Sequence, residues 1–351
     1  VYDSPVPSRA LALPAVALLA LSCGAKSKLS SVRGDAGAPD NPAEEPLPCD
    51  PGSLGALSPA PLKGSLSQPQ DIALGGGFVW LAEWHFLASV ARLPLAGGTA
   101  EVLAEDRPNP TAIVTDRGRA FWTDTGLDCG NGTLSRADEN GRMRELAWSL
   151  ARPSDVVVDA RFAYVGDGPT GPCSEAGSVV RFDHDGGDRR VLASGLSRVT
   201  GLALAGDRVY FGEVIGRIAS LPIAGGPLEV LVDSADGVHW LGAQGEWLYF
   251  ADGRGVNRVS LGGGTPEWLA PVCAQRLEID ESGIYYTCRT IAAQPESVGL
   301  FHLDPESREV TRLHVGSGDL TAIATDALRI YWVDLSDPET NVWTLCKSAM
   351  P

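Results

Sequence analysis

Five histidines and two methionines in 351 residues leave this chain short of the side chains that most often move protons or hold metals. No Gly-x-Ser-x-Gly, His-Glu-x-x-His or phosphate-loop pattern occurs in it. No catalytic residue or metal ligand can therefore be named, and no cofactor is predicted beyond the possibility of a divalent metal. Basic charge is also scarce: 28 Lys and Arg stand against 44 Asp and Glu, for a formal net charge of −16. With no basic stripe to neutralise phosphates, nucleic acid and anionic lipid are excluded as partners. Long apolar runs are missing too. The N-terminal one, from Ala10 to Leu21, has 12 residues, whereas a helix needs about 20 to cross a bilayer. What the chain has in plenty is Gly, at 41, and Pro, at 25. That balance favours many short strands joined by turns over long helices. Hydrophobic residues at 44% suffice for a sizeable core.

A short apolar run behind Arg9, ending abruptly at Ser22-Cys23-Gly24, has the layout of an export signal. Leu21-Ser22-Cys23-Gly24 resembles a bacterial lipobox, which implies that Cys23 carries lipid and becomes the mature N-terminus. Residues 1–22 are then a lipoprotein signal peptide, and the protein is expected outside the cytoplasm. Its expected place is the periplasm or cell surface, anchored to the outer membrane through lipid alone. Residues 23–59 are rich in Ala, Pro, Gly and acids and show no apolar periodicity, so they are expected to be a disordered tether.

The rest of the chain, 60–351, repeats itself. Seven segments share an aromatic, a mostly bulky residue, a small residue and usually an acid: WLAE from Trp80, FWTD from Phe121, YVGD from Tyr164, YFGE from Tyr210, YFAD from Tyr249, YYTC from Tyr285 and YWVD from Tyr331. The leading aromatics lie 41, 43, 46, 39, 36 and 46 residues apart, a spacing that fits one four-stranded propeller blade per step. Eight residues before each aromatic stands an aliphatic: Ile72, Ile113, Val156, Leu202, Leu241, Leu277 and Ile323. A fixed offset inside repeats of variable length means that two strands and their turn are constant. A third strand follows each motif (SVARLPL from Ser89, for example), and a fourth appears in six copies but not in the last. The segment Ala60-Pro61-Leu62-Lys63-Gly64 aligns with the missing one. The expectation is an all-β, seven-bladed β-propeller with four-stranded antiparallel blades, its ring closed by an N-terminal strand near residues 60–64. A six-bladed ring is the alternative. FWTD and YWVD resemble the YWTD repeat of low-density-lipoprotein-receptor-like propellers, a likeness of fold covering about residues 60–346, and that family has six blades. The hairpins LPLAGG and LPIAGG look like those of secreted bacterial propellers.

Apart from Cys23, six cysteines remain, an even number that suits disulfides in an exported protein. Of the 15 possible pairings, the propeller topology selects one. Cys129 and Cys173 sit in loops between second and third strands of adjacent blades, and Cys273 and Cys288 flank the first hairpin of the sixth blade. Cys346 ends the third strand of the last blade, near the entering strand that Cys49 precedes. The expected bridges are Cys129–Cys173, Cys273–Cys288 and Cys49–Cys346.

Ten residues before each leading aromatic stands Gln70, Thr111, Ser154, Thr200, His239, Gln275 or Thr321, a polar position in all seven copies. Asp71, Asp155, Trp240 and Arg276 are next to it. Trp84-His85 after the first motif, and Asp236 through Trp240 at the entrance to the fifth blade, break the repeat on the same face. Aromatic and imidazole groups there suit a sugar, a peptide or a cation. The candidate ligand-binding set is Trp84, His85, Asp71, Asp155, Asp236, His239, Trp240 and Arg276. The acids three after the aromatic (Glu83, Asp124, Asp167, Glu213, Asp252 and Asp334) recur too regularly for a ligand site and are expected to accept backbone or Arg hydrogen bonds between blades, Arg92, Arg136, Arg181 and Arg258 being the candidate arginines. Asp183-His184-Asp185-Gly186-Gly187-Asp188 has the start of a calcium loop but no downstream Glu, and is expected to be a turn. The functional expectation is an anchored, monomeric scaffold binding a protein, peptide or glycan ligand. The alternative is a metal-dependent hydrolase or lyase of the propeller lactonase or streptogramin-lyase type, built on His85, His239, Asp71 and Asp155. The export reading has a direct check. Cys23→Ala is expected to abolish incorporation of labelled palmitate and release the protein from the membrane fraction; labelling unchanged by the substitution refutes it.

Overall fold

The computed structural model describes residues 54–56, 69–83, 88–97, 99–168, 176–233, 235–271, 274–288, 298–315, 320–335 and 342–347. These residues form 28 strands in seven four-stranded antiparallel sheets, which is the seven-bladed propeller and not the six-bladed alternative. In chain order the innermost strands are Pro69–Gly75, Pro110–Asp116, Pro153–Val158, Val199–Ala205, Trp240–Gln244, Ala274–Asp280 and Leu320–Thr325.

The constant offset seen in the sequence is a constant register. Each aliphatic lies opposite the residue that follows the leading aromatic: Ile72 faces Leu81, Ile113 faces Trp122, Leu202 faces Phe211 and Ile323 faces Trp332. Tight turns fix that register. In the first blade the turn is Gly76-Gly77, at φ of 60° and 79°, and in the second it is Arg117-Gly118, at 49° and 72°. Two successive positive φ values are the type I′ geometry that matches strand twist. A Cβ on Gly76 would stand 3.0 Å from the Gly118 Cα, so the first turn also needs glycine to lie against the second.

Burial is organised between blades. Seven apolar clusters each draw on two neighbouring blades, and one of them joins the last blade to the first: Leu74, Val79 and Leu93 pack with Tyr331, Val333 and Val342. That seam makes the ring closed. The outer strand of the last blade does come from the N-terminal side, but it is Leu54–Ala56, not residues 60–64. Leu54 pairs with Leu345, Gly55 with Thr344 and Ala56 with Trp343, antiparallel. Pro59 and Pro61 explain the difference. Proline has no N–H to give the ladder and is poorly suited to strand pairing, whereas Leu-Gly-Ala can donate throughout. The expected tether 23–59 thus contains the closing strand, and residues 60–64 lie outside the described residues.

Cys129, Cys288 and Cys346 are disulfide-bonded. Their expected partners Cys173, Cys273 and Cys49, like Cys23, lie outside the described residues, so the pairing stays a proposal.

Along the rim opposite the channel mouth, arginines on third strands tie blade to blade. Arg92 Nη1 donates to the Glu139 carbonyl at 2.8 Å, Arg136 Nη1 to the His184 carbonyl at 2.7 Å and Arg181 Nη1 to the Ile223 carbonyl at 2.9 Å. Each carbonyl belongs to the hairpin between third and fourth strands of the next blade. Asp183 Oδ1 accepts the Asp185 and Gly187 amides at 2.9 and 2.7 Å, which makes that acidic segment the turn expected of it. Inside the turn, His184 is 7% exposed, its ring 4.7 Å from that of Phe121 and its Nε2 without a partner. Burial, with the charge of Arg119 second, holds this imidazole below its ordinary pKa. His314, beside Trp332, is lowered by burial as well. A base with a depressed folded pKa contributes stability that is complete above its unfolded value, about 6.5, and is lost as pH falls through the folded one. The melting temperature is expected to drop from pH 6.5 downwards, and His184→Leu to flatten that slope; an unaltered slope in the variant removes His184 as its cause.

Candidate functional site

The mouth of the axial channel is where inner strands begin, and the polar position found there in every repeat has a definite use. Thr111 Oγ1 lies 3.4 Å from the Pro153 carbonyl, Ser154 Oγ 2.6 Å from that of Val199, Thr200 Oγ1 2.5 Å from that of Val238 and Thr321 Oγ1 2.6 Å from that of Pro69. Ser154 and Thr321 donate to the first carbonyl of the next blade's inner strand and Thr200 to a carbonyl two residues before it, while Thr111 Oγ1 is also 3.3 Å from the Thr123 carbonyl of its own blade. The Thr321 bond does so across the seam between the last blade and the first. Gln70 is half-buried and His239 exposed, and the side chain of Gln275 lies outside the described residues.

Asp71 and Asp155 work one position deeper. Asp71, 5% exposed, accepts the Ile113 amide at 3.1 Å. Asp155, 1% exposed, accepts the Leu202 amide at 2.8 Å through one oxygen and the Val156 amide at 3.0 Å through the other. An inner strand has no neighbour on its axial side, so its outward N–H groups need acceptors, and these two carboxylates supply them. They are inter-blade struts, and that role occupies them.

The remaining candidates divide. Trp240 is 3% exposed and packs with Tyr249, Leu277 and Tyr286 between the fifth and sixth blades, so it belongs to the core and cannot stack on a ligand. Asp236 and His239 are exposed on the rim of the fifth blade, with Gly237 between them at a φ of 72°. Trp84 and His85 lie outside the described residues. Arg276 is half-buried and crosses the axis: its Nη2 donates to the Thr111 carbonyl, on the far side of the ring, at 3.3 Å. The structure therefore brings Arg276 to the Thr111 carbonyl, and sets Asp236 and His239 on the rim above the fifth blade.

The acids after the aromatics hold loops on this face through backbone amides, as one of the two expectations has it, and not through the arginines named. Asp167 accepts the Ala151 and Arg152 amides at 3.0 and 2.8 Å, and Glu213 accepts the Ser197 amide at 2.7 Å. These are the segments that lead into the same blade. Asp124 performs the task with a side chain, taking Arg107 Nη2 and Thr133 Oγ1 at 2.6 Å each. Its burial pushes its pKa up, against the lowering by Arg107. Arg92, Arg136 and Arg181 cannot serve because third-strand residues opposite the leading aromatic face the other rim. The signal that could have found Arg107 is its place at the end of an outer strand, next to the crossover.

No protein-family model and no curated protein matches the chain. Among solved structures it is similar to the computationally designed Ika8 protein, with a TM-score of 0.56 and 14% identity over 83% of this chain and 99% of that one. At that identity the likeness is of fold alone.

Two substitutions test these assignments by thermal and denaturant unfolding. Asp155→Ala is expected to cost about 1–3 kcal/mol for each amide it leaves without an acceptor. Trp240→Ala is expected to cost about 3–5 kcal/mol as a core cavity. Stability kept by both variants would place the two residues in a binding site after all.

Proposed function

We propose that the chain is a lipid-anchored propeller of the bacterial envelope that acts as a binding or protein-interaction scaffold. The observation that carries this reading is the engagement of Asp71 and Asp155 with backbone amides of the adjacent blade. The hydrolase or lyase reading needs those carboxylates for acid–base work or for a metal. Buried and committed to N–H groups, they are poorly placed for either. The hydroxyls around the axis are likewise committed, because each has a single proton and gives it to a carbonyl.

What the fold leaves for recognition is the rim and the mouth. Asp236 and His239 present an acid and an imidazole from a loop, on a scaffold whose rigidity comes from seven inter-blade cores. The lipobox resemblance of Leu21 to Gly24 supports the anchor, and the YWTD-like motifs support the kinship with extracellular propellers. The acidic balance keeps nucleic acid and anionic membranes away from the domain.

Metal analysis of the purified protein, combined with melting curves in Ca²⁺, Mg²⁺, Mn²⁺ and Zn²⁺, separates the two classes. The scaffold reading expects no stoichiometric metal and an unchanged melting temperature. It also expects a glycan or peptide array to show binding that Asp236→Ala with His239→Ala abolishes without loss of stability. A tightly held stoichiometric metal, together with lactone hydrolysis that chelation abolishes, overturns it.

A further inference from the structure

The channel mouth has a chemical bias that its separate contacts do not show. Ser154, Thr200 and Thr321 commit their hydroxyl protons to carbonyls of the neighbouring blade, and Thr111 Oγ1 stands between the Pro153 carbonyl of that blade and the carbonyl and hydroxyl of Thr123 in its own. Toward anything else they can act only as acceptors. Asp71 and Asp155, 5% and 1% exposed, are spent on backbone amides and lie behind this ring as buried carboxylates, not as contacts for a ligand. The Thr111 carbonyl is a further acceptor at the same level. Around the axis the repeat has therefore gathered oxygen lone pairs, with two buried carboxylates behind them.

At one position of the inner strand, a single blade carries a cation. Position −9 from the leading aromatic holds Asp71, Ala112, Asp155, Gly201, Trp240 and Ala322 in the other blades; the sixth alone puts an arginine there. Arg276 extends to the opposite side of the ring and donates to the Thr111 carbonyl. At 3.3 Å that bond is long for a charged donor, whose usual range is about 2.7–2.9 Å. The side chain is half-buried, with the rest of its planar set of donors not required by this bond. It thus has the character of a tethered guest that fills an acceptor-lined site loosely.

We infer that the channel mouth is a binding site for a guanidinium or alkylammonium group, held shut by the chain's own Arg276. The occupant is a cationic side chain or small cationic molecule that displaces Arg276 from the Thr111 carbonyl. This rests on the scaffold reading above and names the ligand class at its centre. The formal charge of −16 favours the approach of such a ligand. A site populated in its open form only part of the time binds more weakly by that fraction, so removing the internal competitor should strengthen binding.

The probe is methylguanidinium, titrated by calorimetry into wild-type protein and Arg276→Ala, with inorganic phosphate as the opposite-charge control. The expected result is binding at least about tenfold tighter to the variant, with a matching rise in its melting temperature and no response to phosphate. Should Arg276→Ala fold poorly, recovery of its folded signal on adding methylguanidinium, but not on adding sodium at equal ionic strength, supports the same conclusion. In the wild type, the Arg276 Nε–H resonance is expected to shift during the titration. Equal or absent methylguanidinium binding in both proteins, or stabilisation by phosphate, overturns the inference. An array ligand that still binds regardless of Arg276 then leaves the scaffold reading standing on its own.

Discussion

A propeller's inner strand has a sheet partner on one side and only the axis on the other, so half of its backbone groups need something else to bond to. In this chain the neighbouring blade provides it. Hydroxyl protons of Ser154, Thr200 and Thr321 reach a carbonyl at or just before the start of the next inner strand, and the carboxylates of Asp71 and Asp155 reach an amide slightly deeper. These bonds run in one direction around the ring, and the Thr321 bond to the Pro69 carbonyl carries them over the seam. Apolar burial between blades supplies most of the stabilisation, but it is non-directional. The hydroxyl and carboxylate bonds fix how the first five blades stand against one another and how the last stands against the first. The arginine ties on the far rim and the acid-held crossovers on the near rim fit only one arrangement of blades.

Much of this was legible in the sequence because repetition turns weak local signals into a strong one. A single aromatic-x-small-acid motif means little; seven of them with an aliphatic at a fixed offset require a constant hairpin. The blade count, the four strands and the donation of one strand by the N-terminal segment all followed from that. The position of the closing strand did not, because alignment with the repeat pointed to 60–64, while Pro61 deprives that stretch of a donor. Leu54-Gly55-Ala56 makes only three register pairs, too few for a pattern to announce.

The candidate site was less legible, for a physical reason. A polar residue at the start of an inner strand looks the same whether it faces a ligand or the next blade. Asp71 and Asp155 stand out in the sequence as charges near the axis, yet their carboxylates satisfy backbone amides. Trp240 stands out as an aromatic on a loop-to-strand boundary, yet it fills the space between two blades. Arg276 was the informative exception, since no other blade places a cation at its position. Its reach across the ring to Thr111, a contact 165 residues apart in sequence, could be seen only in three dimensions.

The central claim is that inner strands are held by their neighbours' side chains, and native-state hydrogen exchange reads this at two amides. Ile113 and Leu202, whose N–H groups end on Asp71 and Asp155, should exchange only through global unfolding, with the same free energy as core amides of the second strands. Exchange at these two positions by local opening, while the second strands remain protected, would contradict the account.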